Sequence, residues 1–202
     1  NFYSCLEAPV SNTRQGLTIN APLGAMECAL FMKQGISRFN NDFGSMLKSF
    51  LIPLAFLPLS FIGLYFSQGQ RPELAGISYE YLAALFLGKT FFTTLIGLSM
   101  IYGFAKYYDR LQYFYLTVSA GNWASILPTL FFIPVLYSLS MGWHSWEEIY
   151  PITIVFSIYG YALTGFILTY ALKIPWEMAG FLAICGMAIN ETGFDVLYWL
   201  AS

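Results

Sequence analysis

With 202 residues, 57% of them hydrophobic and only 10% charged, the chain is too apolar for a water-soluble domain, in which about a quarter of residues carry charge. A formal net charge of −2, with no Lys/Arg cluster, excludes nucleic acid as a partner. Three widely spaced cysteines (Cys5, Cys28, Cys185) and a single histidine, His144, exclude a disulfide framework and a zinc site. The fold class is therefore all-α: a polytopic helical bundle whose main solvent is lipid, with no cofactor and no metal expected.

Residues 1–20 have Pro9, Asn12 and Gly16 and no sustained period, and read as an irregular arm. No charged segment precedes an apolar one there, so no signal peptide is expected. From Pro22 a helix is expected, since a proline fits the first helical position. Leu23, Met26, Leu30 and Phe31 recur at helical spacing while Glu27, Lys33, Gln34 and Arg38 lie elsewhere. That pattern fits a helix in the membrane interface, and equally an amphipathic helix docked on the protein itself. Residues 1–44 thus form a cytoplasmic arm with an amphipathic helix, and residues 45–202 a five-helix transmembrane domain.

The first span is expected over Met46 to Ser67, kinked by Pro53 and Pro58. A polar loop, Gln68 to Glu80, follows. The second span, Tyr81 to Ala105, has 25 residues and one charge, Lys89. At 1.5 Å per residue it is roughly 37 Å long, enough to cross a ~30 Å hydrocarbon core with some tilt. The third span, Leu111 to Leu139, holds Asn122 near its middle and is expected to tilt or break at Pro128. Trp143, Trp146 and Tyr150 follow as an aromatic belt, and Ser145 with Glu148 has the form of a capping box. The fourth span, Pro151 to Leu172, is joined to the fifth, Pro175 to Leu200, by Lys173 and Ile174 alone, which forces an antiparallel hairpin.

Orientation follows from the cations. With the N-terminus inside, seven of them (Arg14, Lys33, Arg38, Lys48, Lys106, Arg110, Lys173) lie in inner segments and only Arg71 in an outer one. The expected arrangement is N-terminus cytoplasmic, C-terminus outside, in a bacterial inner membrane.

The polar groups within the spans are the candidate site. An unpaired ammonium in lipid costs at least about 2.5–3.5 kcal/mol, so Lys89 needs a partner. In the fifth span Ala179, Ala183, Gly186, Asn190 and Gly193 form a stripe of small residues that lets helices approach closely. Asn190 points into that contact and Glu191 flanks it. In the second span Lys89, Thr90, Thr93, Thr94 and Gly97 gather on one face. These faces are expected to meet and to pair Lys89 with Glu191, with Asp195 as the reserve partner. An intramembrane carboxylate suits proton- or ion-coupled work; a pair that only fixes helix register is the plainer account. Asn122 is expected to be an interhelical hydrogen-bond donor, and His144 a wet interfacial residue.

No HExxH, GxSxG, GxxxxGK[ST] or CxxC occurs, so no catalytic residue is assigned. An approach helix, five closely spaced spans and the tight joint at Leu172-Lys173-Ile174-Pro175 resemble the Yip1-domain family. Eukaryotic members are linked to vesicle traffic and small GTPases, and the resemblance implies no catalytic residues. The function expected is non-enzymatic action through assembly, as a Yip1-like factor or an accessory subunit. Its partners are the lipid bilayer and other membrane chains or copies of itself. The alternative is a small oligomeric transporter or channel using Lys89, Asn122 and Glu191. That alternative calls for a water-accessible cavity reaching Glu191.

Overall fold

The computed structural model of the chain describes residues 20–69 and 76–201, and every regular element among them is helical. The arm with Cys5 and Arg14, and the loop positions Arg71 and Glu73, lie outside the described residues.

The first helix, α1 (Ala21–Ala29), begins where Asn20 accepts a hydrogen bond from the Leu23 amide at 3.2 Å, with Pro22 in the first turn. The chain reverses at Phe31, whose φ of 56° is left-handed, and returns as a 3-10 turn over Lys33–Arg38. A bulky residue resists that conformation. The Phe31 ring compensates by packing edge-on against Tyr159 and Phe166, at 5.9 and 5.5 Å between centroids.

The spans come in two styles. The second, fourth and fifth are single helices: α4 (Tyr79–Tyr107), α7 (Trp146–Ala171) and α8 (Trp176–Ala201). The first and third are broken, into α2 (Phe43–Ser49) and α3 (Leu51–Gly69), and into α5 (Phe114–Ala124) and α6 (Ile126–Ser140). Each break, at Phe50 and at Ser125, falls three residues before a proline, Pro53 and Pro128. In the first turn of a new helix a proline gives up only an amide that has no helical partner anyway. Pro58 and Pro134 stay inside their helices. The Ser145–Glu148 capping box forms at the start of α7, and Lys173, at φ 59°, turns the chain sharply into α8.

Five segments are long and apolar enough to cross a membrane: Phe43–Phe66, Tyr79–Tyr107, Leu111–Ser140, Glu147–Ala171 and Trp176–Ala201. The protein is a multi-pass membrane bundle. Trp143, Tyr150 and Trp199 are exposed toward one end of the spans and Trp176 at the other, as aromatic anchors should be. The end opposite Trp143 is cationic. There Lys173 donates to the Tyr113 hydroxyl at 2.8 Å and Lys33 lies 4.5 Å over the Tyr170 ring.

Helices α7 and α8 pack as a hairpin, α4 lies against α8, and α3 against α6. Residues before the first span belong to the same packed body: Ala25, Cys28, Ile36 and Phe39 share a core with Ala120, Ala124, Leu163 and Ile167. Of the two readings of α1, docking on the protein is the one observed, through a face other than the large apolar one. It docks on the protein through its small face, with Gly24, Ala25, Cys28 and Ala29 buried, and its apolar side chains Leu23, Met26 and Leu30 point outward. Small residues allow close backbone packing, whereas large apolar ones gain nothing by leaving lipid. The docking reaches deep, since Tyr159, midway along α7, donates to the Ala29 carbonyl at 2.7 Å.

Candidate functional site

Lys89 does find a partner in the last helix, but the partner is not Glu191. Its Nζ donates to Asn190 Oδ1 at 2.6 Å and stands 3.6 Å from the centroid of the Phe194 ring. Phe86 offers a second ring at 5.9 Å. The lysine stem lies against Gly193, where a Cβ would come within 3.0 Å of Lys89 Cε and 2.9 Å of Thr93 Cγ2. The expected faces of α4 and α8 therefore meet, with the pairing shifted by one residue. One step along a helix turns a side chain about 100°. Asn190 is on the contact face, whereas Glu191 and Asp195 are exposed. Glu191 acts on Lys89 and on Tyr161 through space only. A neutral amide and a ring face accommodate the ammonium without a carboxylate having to be desolvated beside it.

Asn122 is the interhelical donor its position suggests: its Nδ2 bonds Ser49 Oγ at 2.9 Å, tying α5 to α2. His144 bonds Ser138 through Nδ1 at 2.7 Å in the exposed turn between α6 and α7.

Beside Asn122 and Asn190 lies a cavity of about 610 Å³, bounded by α4, α5, α6, α7 and α8. On α7 it is lined by Ser157, Gly160, Tyr161 and Thr164, a stripe at the spacing of one helix face. Thr117, Asn122, Ser125 and Thr129 line it on α5 and α6, and Asn190 at its edge on α8. A Cβ at Gly121 or Gly160 would meet nothing within 4 Å. A smaller cavity of about 190 Å³ shares Ile101, Tyr161, Thr164 and Leu168 with it, and extends the space to Gly97, Ala183 and Gly186. Leu168 belongs at the same time to the apolar cluster at the cationic end, and Phe156 packs against the one at the other end. The space thus reaches Asn190 and the neighbourhood of Glu191, though Glu191 is not in its wall.

The α7 stripe was present in the sequence as Ser157-x-x-Gly160-Tyr161-x-x-Thr164. A search led by Asp, Glu, Lys, Arg and His passes over it, because the fourth span has none of these beyond its first turn.

A second polar group went unpaired in the sequence. Arg38 and Glu27 form a two-pronged ion pair, Nε to Oε2 at 2.6 Å and Nη2 to Oε1 at 2.7 Å, joining the 3-10 turn to α1. The Arg38 guanidinium holds the Glu27 carboxyl below the ordinary glutamate range, and the carboxylate in turn raises Arg38. Burial pushes the neighbouring Cys28 thiol up to about 12, which leaves it protonated and unreactive. Among the described residues no buried side-chain nitrogen or oxygen lacks a partner, and this cluster is spent on holding the fold. Among the described residues no three of His, Cys, Asp and Glu come together.

The chain matches no family model, no curated protein and no solved structure.

Proposed function

We propose that this is a non-enzymatic membrane protein that holds one small amphiphilic molecule in the cavity between α4, α5, α6, α7 and α8, as a binder or carrier within the bilayer. The α7 stripe carries this reading. Ser157 is exposed and Tyr161 half-buried, and the hydroxyls of both lack a hydrogen-bond partner among the described residues, whereas Thr164 bonds only the Gly160 carbonyl of its own helix. Hydroxyl groups left facing hydrocarbon are costly, whereas a polar-lined space that takes up a ligand satisfies them. About 610 Å³ falls within the ~300–1,000 Å³ of ordinary small-molecule sites. With apolar clusters at both ends, the flank of the bundle is the way in, so the molecule comes from the membrane. Five spans are few for a complete transport path, and a carrier of this kind works as an oligomer. The cationic end faces the cytoplasm of a bacterial cell, the N-terminus inside and the C-terminus outside, as the inward bias of Lys and Arg supports.

The test is native mass spectrometry of protein released from mild detergent. One retained amphiphile per chain is expected, lost when Gly160→Leu fills the space; bare mass in the parent protein contradicts the proposal.

Glu191 and Asp195, exposed on α8 beside Phe181, Ile184 and Val196, favour a second reading, assembly as a Yip1-like factor or accessory subunit. Carboxylates at membrane depth seek a partner. On this reading a stoichiometric membrane chain co-elutes with the protein and is lost in Glu191→Gln, while elution of the same species with and without the substitution contradicts it.

A further inference from the structure

We infer that the molecule held in this cavity is a hydrogen-bond donor with an apolar body, a primary-ammonium amphiphile; the inference rests on the cavity being the binding site. The walls are biased toward acceptors. Thr117, Ser125, Thr129 and Thr164 each donate their hydroxyl proton to a backbone carbonyl of their own segment, Tyr113, Asn122, Ser125 and Gly160 respectively, at 2.7 to 2.9 Å. What those four hydroxyls keep for a ligand is lone pairs. Asn122 gives one of its two amide N–H groups to Ser49 and keeps the other together with its carbonyl oxygen. Pro128 has no N–H for the carbonyl of Ala124, another wall residue. Against these stand the remaining amide N–H of Asn122, the two of Asn190, and the unattached hydroxyls of Ser157 and Tyr161, which serve in either role. A ligand offering only acceptors would leave these lone pairs unmatched, and a site lined in this way favours a donor.

The rings agree with this choice and stand in for the counter-ion that the wall lacks. Phe132, Phe156 and Tyr161 present aromatic side chains to an ammonium, and no charged side chain lies in the wall. Lys89 stands behind Asn190 with its charge taken up by that amide and by Phe194, and Glu191 offsets it through space. The rest of the wall, including Leu98, Val118 and Leu163, suits an alkyl chain.

Three probes with one chain length separate donor count from charge: dodecylammonium (three N–H), dodecanol (one O–H) and dodecyltrimethylammonium (the same charge, no donor). Each is added to the protein in lipid nanodiscs and the shift of the unfolding midpoint is read against concentration. Dodecylammonium is expected to act at concentrations about tenfold or more below those of the trimethyl compound, with dodecanol between. Thr129→Val and Thr164→Val are expected to weaken the dodecylammonium response. Thr169→Val, whose hydroxyl bonds Gly165 away from the wall, should leave it unchanged. Equal shifts with all three probes, abolished by Gly160→Leu, would overturn the donor preference while leaving the cavity as the binding site. No shift with any probe would overturn both.

Discussion

Helices α5 and α7 have a different neighbour on each side, and the two neighbourhoods handle polar groups in opposite ways. On one side α1 and its 3-10 turn bring Glu27 to Arg38 and cross backbones so closely that a Cβ at Gly35 would stand 2.7 Å from the Gly24 carbonyl oxygen. On the other, α7 turns Ser157, Tyr161 and Thr164 toward about 610 Å³ of space, and its glycine, Gly160, has room to spare. Charged groups sealed into bidentate contact serve the fold. Neutral polar groups left facing a void are available to something else. In this bundle the charges are therefore poorer guides to function than the hydroxyls.

The contrast breaks most sharply at its glycines. Gly35→Ala drives a methyl into the Gly24 carbonyl and the Cys28 amide, at a cost of about 3 kcal/mol, so folded yield in mild detergent should collapse. Gly160→Ala and Gly121→Ala should stay within about 0.5 kcal/mol of the parent. If all three behave alike, the two sides do not differ as described.

Next in size is the ion pair. Because the Glu27 pKa is depressed below its ordinary 4.5, the pair stabilises fully above that value and is lost as pH falls through the depressed range. The thermal midpoint should drop on acidification, and Glu27→Gln should lower it at neutral pH while removing the part of the acid response that belongs to this pair. A midpoint unchanged by Glu27→Gln at neutral pH would show that the pair contributes nothing to the docking of α1.

The lock between α4 and α8 is weaker. Asn190→Leu removes the amide that holds Lys89 and should cost about 2 kcal/mol, more than a neutral interhelical hydrogen bond, with the Phe194 ring left to offset part of the loss. Glu191→Gln should leave the midpoint almost unchanged, since Glu191 touches Lys89 only through space. The reverse order would restore Glu191 as the direct partner.

The smallest effect sharpens the closed side chemically. In a Cys5→Ser, Cys185→Ser background, Cys28 should resist maleimide at pH 8 until the protein is unfolded, its thiol being buried and raised to about 12. Prompt labelling in the folded protein would mean that α1 swings free.

Much of this was legible beforehand. The span count, the α7–α8 hairpin, the Ser145 cap and the meeting of Lys89 with the small-residue face of α8 all follow from helical period and apolar length. Which neighbour Lys89 takes does not, because two rules disagree there: the small-residue stripe turns Asn190 into the contact, while opposite charge favours Glu191 one step of helix away, and the contact face wins. The Glu27–Arg38 pair was hidden for another reason: it spans a reversal at Phe31, and no fixed spacing marks partners across such a turn. The cavity was harder still. A void is made by what fails to fill it, and the small residues Gly97, Gly121 and Gly160 come from three different spans.

The central claim is that the polar-walled space holds an amphiphile, and photocrosslinking tests it most directly. With a diazirine-bearing dodecylamine in nanodiscs, adducts should map to residues 117–132 and 156–168. They should fall away when unlabelled dodecylamine is added and be missing in Gly160→Leu. Adducts scattered over the lipid-facing surface at Phe91, Phe92 and Ile184, indifferent to competitor, would contradict it.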